Sequence, residues 1–195
     1  FRISLSQGKD MIPLGKELEH ATSYLKIQNI RFKDKFDFKV EADPKLMKYL
    51  IPKLSIQPLL ENAIYHGMEG MYEDGEIIIS VYEEEDTIKI DVADNGLGMT
   101  AEEVEEYITQ IAFSGANDFL EKYKDDANAI IGHFGLGFYS AFMVAKKVEI
   151  ITKSYRDEAQ AIKWTCDGSP EFTIEEIEKA DRGSDIILYI DDDCK

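Results

Sequence analysis

Residues Asp94 to Met99 read D-N-G-L-G-M and follow the alternating run Ile88-Lys89-Ile90-Asp91-Val92-Ala93. A carboxylate at a strand end can accept a hydrogen bond from an aromatic amino group such as that of adenine. Gly96 and Gly98 would let backbone pass close to a planar ring, with Met99 against it. The competing reading is an ordinary Asn-Gly turn.

Two further constellations accompany it. Leu54 to Gly67 reads L-S-I-Q-P-L-L-E-N-A-I-Y-H-G. Its apolar positions Ile56, Leu59, Leu60, Ala63 and Ile64 form one helical stripe, which leaves Glu61, Asn62, Tyr65 and His66 around its border. Gly132 to Gly137 reads G-H-F-G-L-G and runs into the apolar segment Phe138 to Ala145. A glycine-rich turn opening a helix offers unpaired N–H groups and the positive end of the dipole to a phosphate chain; a helix-opening turn without ligand competes. The glycine order is not G-x-G-x-x-G, and no G-x-x-x-x-G-K-[ST] occurs.

The elements that must position these groups follow from periodicity. Lys16 to Phe32 predicts a helix, Phe36 to Val40 a strand, Pro44 to Tyr49 a short helical stretch, and Leu54 to His66 a helix with Ser55 as N-cap and Pro58 in its first turn. Glu76 to Tyr82 and Thr87 to Ala93 predict a hairpin around the acidic turn. Thr100 to Glu103 predicts a capping box opening a helix to about Ile108. Thr109 to Ile131 has the profile of a cover over a site; a helix is expected from Gly135 to Lys146, then strands at Val148 to Ser154, Ala159 to Thr165 and Asp185 to Ile190. Helices on one face of a mixed, mostly antiparallel sheet give a two-layer α/β sandwich in a single domain, 1–195.

The chain has 195 residues, 44% of them apolar, which suffices for one continuous core. Its net charge of −17 disfavours nucleic acid and anionic membranes as partners. Glu83 to Asp86 and Asp191 to Asp193 read as a solvated turn and tail. The two cysteines, Cys166 and Cys194, lack metal-binding spacing and read as free thiols in a reducing cytoplasm. No run approaches the ~20 apolar residues of a membrane span. Phe1-Arg2-Ile3 matches neither a signal peptide nor an initiator methionine, so the chain is expected to begin inside a longer protein.

The three motifs in this order resemble the superfamily of DNA gyrase B, ninety-kilodalton heat-shock chaperones, sensor histidine kinases and MutL proteins, whose fold is the Bergerat ATP-binding sandwich. Residues 1 to about 100, with L-E-H-A-T-S-Y-L-K-I-Q-N-I-R-F (Leu18 to Phe32) and Ile51 to Gly67, resemble a LytS/YesM-type kinase. Residues from about 100 onward, with I-A-F-S-G-A-N-D-F-L (Ile111 to Leu120), the Gly132 motif and D-R-G-S-D-I-I-L, resemble the ATPase domain of a bacterial ninety-kilodalton chaperone. The pairing implies an engineered chimera joined in or just after the shared D-N-G-L-G-M motif.

The resemblance implies ATP or ADP as ligand and Mg²⁺ held by Asn62. Asp94 would meet the adenine amino group, with Ser184 nearby and an adenine-bound water. Gly96, Gly98 and Met99 would lie against the ring, and Gly132, Gly135, Gly137 and Phe138 against the phosphates. His66 either lies over the nucleotide or caps its own helix. Tyr65 replaces a basic residue that kinases direct at phosphate. His20 is not a phospho-acceptor on this reading, and His133 is a loop residue. Chaperone relatives carry a general-base glutamate one turn before the asparagine; here Pro58 stands there, and Glu61 is the alternative catalytic candidate. Client or response-regulator proteins would be reached only through domains absent from this chain. Three readings follow: an ATP/Mg²⁺-binding domain with little or no hydrolysis, an active chaperone ATPase, and an interaction module with the fold but no nucleotide.

Overall fold

Alternation of apolar and polar residues builds the sheet, and the helices cover the face that the apolar parity selects. The computed structural model describes residues 11–33, 35–68, 74–109, 141–142, 144–169 and 171–191. In chain order these give β1 (Met11–Pro13), α1 (Leu14–Arg31), β2 (Phe36–Ala42), a single turn Pro44–Leu46 and β3 (Leu50–Pro52). Next come α2 (Gln57–Asn62), continued by a wider turn over Ala63–Gly67, then β4 (Gly75–Glu84) and β5 (Thr87–Asp94). They are followed by α3 (Ala101–Val104), extended over Glu105–Thr109, β6 (Ala145–Lys153), β7 (Ala161–Cys166), β8 (Phe172–Ile177) and β9 (Gly183–Ile190).

Seven strands form one sheet in the order β2-β4-β5-β9-β6-β7-β8, with β2 and β4 parallel and every other pair antiparallel. β1 and β3 make a separate antiparallel ribbon. On the inner face Ile77, Ile79, Val81, Ile88, Ile90, Val92, Val148, Ile150, Ile186 and Leu188 are buried. Leu14, Leu18, Ala21 and Leu25 of α1 join the same core, as do Leu59, Leu60, Ala63 and Ile64 from α2 and its extension. Residues of the opposite parity, among them Lys89, Asp91, Glu149 and Tyr189, stay half-buried on the other face. This is the expected α/β sandwich.

Local chemistry explains the hairpin and α3. Glu85 and Asp86, both at positive φ (50° and 58°), make the two-residue turn whose twist suits a β4–β5 hairpin. The Thr100 side chain accepts from the Glu103 N–H while the Glu103 carboxylate accepts from the Thr100 N–H, which is a complete capping box.

Several expectations change. The α2 helix starts at Gln57, and Ser55 does not cap it, because its hydroxyl donates to the Pro52 carbonyl instead. No side chain caps the helix start; the buried Glu17 of α1 instead fastens the segment that leads into it, its two carboxylate oxygens accepting from the Leu54 and Ile56 N–H groups at 2.9 and 3.0 Å. Pro58 sits in the first turn, as it must, where no intrahelical N–H is needed. Only Pro44–Leu46 of the stretch to Tyr49 is helical, since β3 claims the chain from Leu50. Ala145 and Lys146 belong to β6 rather than to a helix, drawn into pairing with β9. β8 has weak alternation and was not anticipated. Cys166 is a buried free thiol. The cover segment beyond Thr109, the Gly132 to Gly137 motif with Phe138, His133 and Cys194 lie outside the described residues.

Candidate nucleotide site

Where β5 ends, the sheet brings three polar residues into register: Asp94 is the cross-strand partner of Ser184, and Ser184 is the partner of Thr152. Asp94 and Ser184 were expected here; Thr152 was not. Thr152 stands at the inward parity of β6 after Val148 and Ile150, and a hydroxyl on that parity is the signal that could have found it.

Asp94 is pinned from several sides. Its Oδ1 accepts the Gly96 N–H at 2.8 Å. Burial pushes its carboxyl up to about 7, Asp185 adds to the rise, and hydrogen bonds from the Gly96 and Ser184 backbones and the Lys179 charge oppose it. The turn after α2 presses against this carboxylate so closely that a Cβ on Gly67 would stand 2.9 Å from Oδ1. A Cβ on Gly96 would fall 2.2 Å from the Gly67 carbonyl oxygen, so glycine here serves close backbone approach. The Leu97 N–H then donates to that Gly67 carbonyl at 2.9 Å. Gly98 adopts φ +61° beside the Lys153 carbonyl, and the next N–H, that of Met99, donates to Thr152 Oγ1 at 2.9 Å. Asn95 faces away: its amide donates to the Asp74 carbonyl and accepts the Glu76 N–H, fastening the loop to the start of β4.

The α2 side holds the second group of residues. Asn62 is half-buried at the end of α2, and its amide has no hydrogen-bond partner among the described residues. Glu61 precedes it by one residue, about 100° around the helix. Its Oε1 accepts from the Gln57 amide at 2.9 Å. It lies beside Tyr24 of α1, whose phenol is raised mainly by burial and then by the Glu61 charge. Tyr65, also facing α1, accepts a hydrogen bond from Arg31 at 2.8 Å and meets Phe32 edge-on. His66 contributes backbone to the turn; its side chain lies outside the described set. The structure thus joins Asp94, Gly96, Gly98, Met99 and Ser184 in one cluster with Gly67 of the α2 extension against it, and leaves Glu61 turned toward α1.

The fold has an acceptor in a partly buried niche against which the backbone of Gly67 and Gly96 closes, and on the adjoining helix an amide with no hydrogen-bond partner among the described residues. That donor set suits a flat base with an exocyclic amino group and a hard cation such as Mg²⁺, which binds through few protein oxygens. Among the described residues no group of three or more His, Cys, Asp or Glu side chains could hold a metal alone, and no helix is long and apolar enough to cross a membrane.

Comparison with known proteins agrees with this geometry. The family described as histidine kinase-, DNA gyrase B-, and HSP90-like ATPase matches residues 59–182, and a histidine kinase family matches residues 1–36. Chaperone protein HtpG of Bacteroides thetaiotaomicron is 83% identical over 123 residues, covering 63% of this chain and 18% of that protein. The protein of the same name from Porphyromonas gingivalis is 60% identical over 121 residues, 62% of this chain and 18% of its own. That of Shewanella amazonensis is 37% identical over 147 residues, 73% and 22% respectively. The chain spans about a fifth of the length of these relatives.

Proposed function

Because the chain belongs to the histidine kinase-, DNA gyrase B- and HSP90-like ATPase family, we propose that it binds ATP or ADP with Mg²⁺ and cleaves ATP slowly or not at all on its own. The observation that carries binding is the Asp94 niche, where Gly67 and Gly96 meet at backbone distance beside a carboxylate. In this reading Asp94 accepts the adenine amino group, Ser184 stands beside it, and Met99 and Gly98 line the ring. Asn62 supplies an oxygen to Mg²⁺, which neutralises phosphate charge when bound. Gly132, Gly135, Gly137 and Phe138 would complete the phosphate side. Slow turnover rests on Pro58, which has no proton acceptor where a general base would act, a loss of ~10² to 10⁴-fold in rate. Glu61 is the remaining candidate base, and its bond to Gln57 and place beside Tyr24 argue for a weak one.

We also read the chain as a hybrid located in the cytoplasm. The kinase match over residues 1–36 and the long HtpG match support two parentages. A match of 123 residues is longer than the segment from 101 to 195, which supports a junction at or before residue 73 rather than near 100. The 83% identity favours a second reading, an active chaperone ATPase domain. Titration with a fluorescent ATP analogue, with and without Mg²⁺, tests binding; a protein that shows no saturable signal is not a nucleotide-binding domain. Steady-state phosphate release separates the two readings, since a rate equal to that of an intact chaperone ATPase selects the second.

A further inference from the structure

The helix that ends on Asn62 opens beside a buried charge from another part of the chain. On α1 the inward stripe runs Leu14, Leu18, Ala21 and Leu25, and Glu17 stands within it, 1% exposed, where an apolar side chain is the usual occupant. One carboxylate oxygen accepts the Leu54 N–H at 2.9 Å and the other the Ile56 N–H at 3.0 Å.

The two N–H groups converge because the backbone turns sharply between them. Leu54 has φ 61°, in the left-handed region that leucine rarely enters, and Ile56 is right-handed helical at φ −90°. Such a turn makes a small concavity of N–H groups that suits an anion, and here α1 provides the anion. Ser55, between them, donates its hydroxyl to the Pro52 carbonyl and closes the same turn. Ile56, held at its N–H, accepts the first bonds of α2 at its carbonyl, from the Leu59 N–H at 3.0 Å and the Leu60 N–H at 3.3 Å. Asn62 lies two residues beyond Leu60. Its own amide has no partner among the described residues, so its direction follows that of the helix.

We propose that Glu17 is a positioning residue for the cation side of the site. It sets the peptide from which α2 starts, and through that helix the direction of the Asn62 oxygen, without touching nucleotide or ion. A buried carboxylate is a poor source of stability beside a well-packed apolar side chain, so its use at this place is the geometry it enforces. The inference rests on the ATP/Mg²⁺ reading and deepens it by adding a residue of α1 to the site.

The test is titration of the full chain with a fluorescent ATP analogue, with and without magnesium chloride, the ratio of the two affinities being the readout. Glu17→Gln keeps the length and one acceptor oxygen, and sets an NH₂ group against the other N–H. The expected result is a fall of about 10-fold in the Mg²⁺ ratio, the low end of what outer partners of a metal ligand contribute, with the Mg²⁺-free affinity within about 2-fold of wild type. Ile88→Ala, a cavity at the far end of β5 from Asp94, is the control: it should lower the melting temperature and leave the ratio alone. A Glu17→Gln protein that behaves like this control overturns the proposal and leaves Glu17 a structural residue. In an Asn62→Ala background Glu17→Gln should change the ratio no further, and a loss that simply adds overturns the route through Asn62. Should glutamine prevent folding, Glu17→Asp keeps both oxygens on a shorter arm and is read the same way. Wild type with no saturable signal overturns the ATP-binding reading itself, and wild type that binds equally with and without Mg²⁺ overturns the role of Asn62 and this proposal with it.

Discussion

Two aspartates of β5, three residues apart and therefore on opposite faces of the sheet, make an instructive pair. Burial pushes both carboxyls up to about 7, and Asp185 raises both. Asp94 faces the helical layer and is met by the Gly96 N–H, the Gly67 turn and its strand partner Ser184. Asp91 faces outward between Ser80 and Ile187, and its buried Oδ1 has no hydrogen-bond partner among the described residues. A raised pKa alone therefore does not mark a site. What distinguishes Asp94 is backbone brought to it at close range from a second element.

The comparison breaks first under substitution of the carboxylates. Asp94→Asn should weaken ATP binding by about 10- to 150-fold, the value of a charge-assisted hydrogen bond, while Asp91→Asn should change it less than about 2-fold. Titration of both variants with a fluorescent analogue measures this, and equal losses would erase the distinction. Next in size is Gly67→Ala, whose new Cβ would press on Asp94 Oδ1. Overpacking of ~1 to 3 kcal/mol should appear as weaker ATP binding together with a lower melting temperature.

A third experiment sharpens the energetic side. Each carboxyl is raised above its unfolded value, so the neutral form is favoured on folding. The stability each contributes is complete below about pH 4 and is lost as pH climbs toward 7. Asp91→Asn should flatten the dependence of the urea midpoint on pH between 4 and 7, and an unaltered slope would show that Asp91 keeps an ordinary pKa. The smallest effect is expected from Glu61→Ala, which should leave ATP affinity within about 2-fold and reduce any residual phosphate release by less than the 10²-fold of a well-placed base.

Features set by neighbours in the chain were legible before the structure. The hairpin and the Thr100 capping box need only adjacent residues, and both occur, with the turn narrowed from Glu83–Asp86 to Glu85-Asp86 because Glu83 and Glu84 pair within β4. The nearness of Ser184 to Asp94 was implied by the resemblance of D-R-G-S-D-I-I-L to the chaperones, and the register of β5 and β9 pairs the two. Features set across the fold were not legible. Ser55 resembles an N-cap by type, yet Glu17, distant in sequence, holds the Leu54 and Ile56 amides. Ala145 and Lys146 look helical by continuity with the apolar run before them, and strand pairing with β9 overrides that preference. Thr152 meets Ser184 and the Met99 N–H only through register, which no local pattern specifies.

The Glu17 bridge also bears on the order in which the molecule comes together. The segment leading into α2 is held by a side chain 39 residues earlier than Ile56, and the six-residue helix that ends at Asn62 has no side-chain cap of its own. Helix nucleation is costly and a piece this short is unstable in water. Asn62, the residue proposed to hold Mg²⁺, should therefore acquire its orientation late, only after α1 has docked and its carboxylate has closed the long loop. A peptide covering residues 51–68 would carry the whole motif and almost none of the conformation.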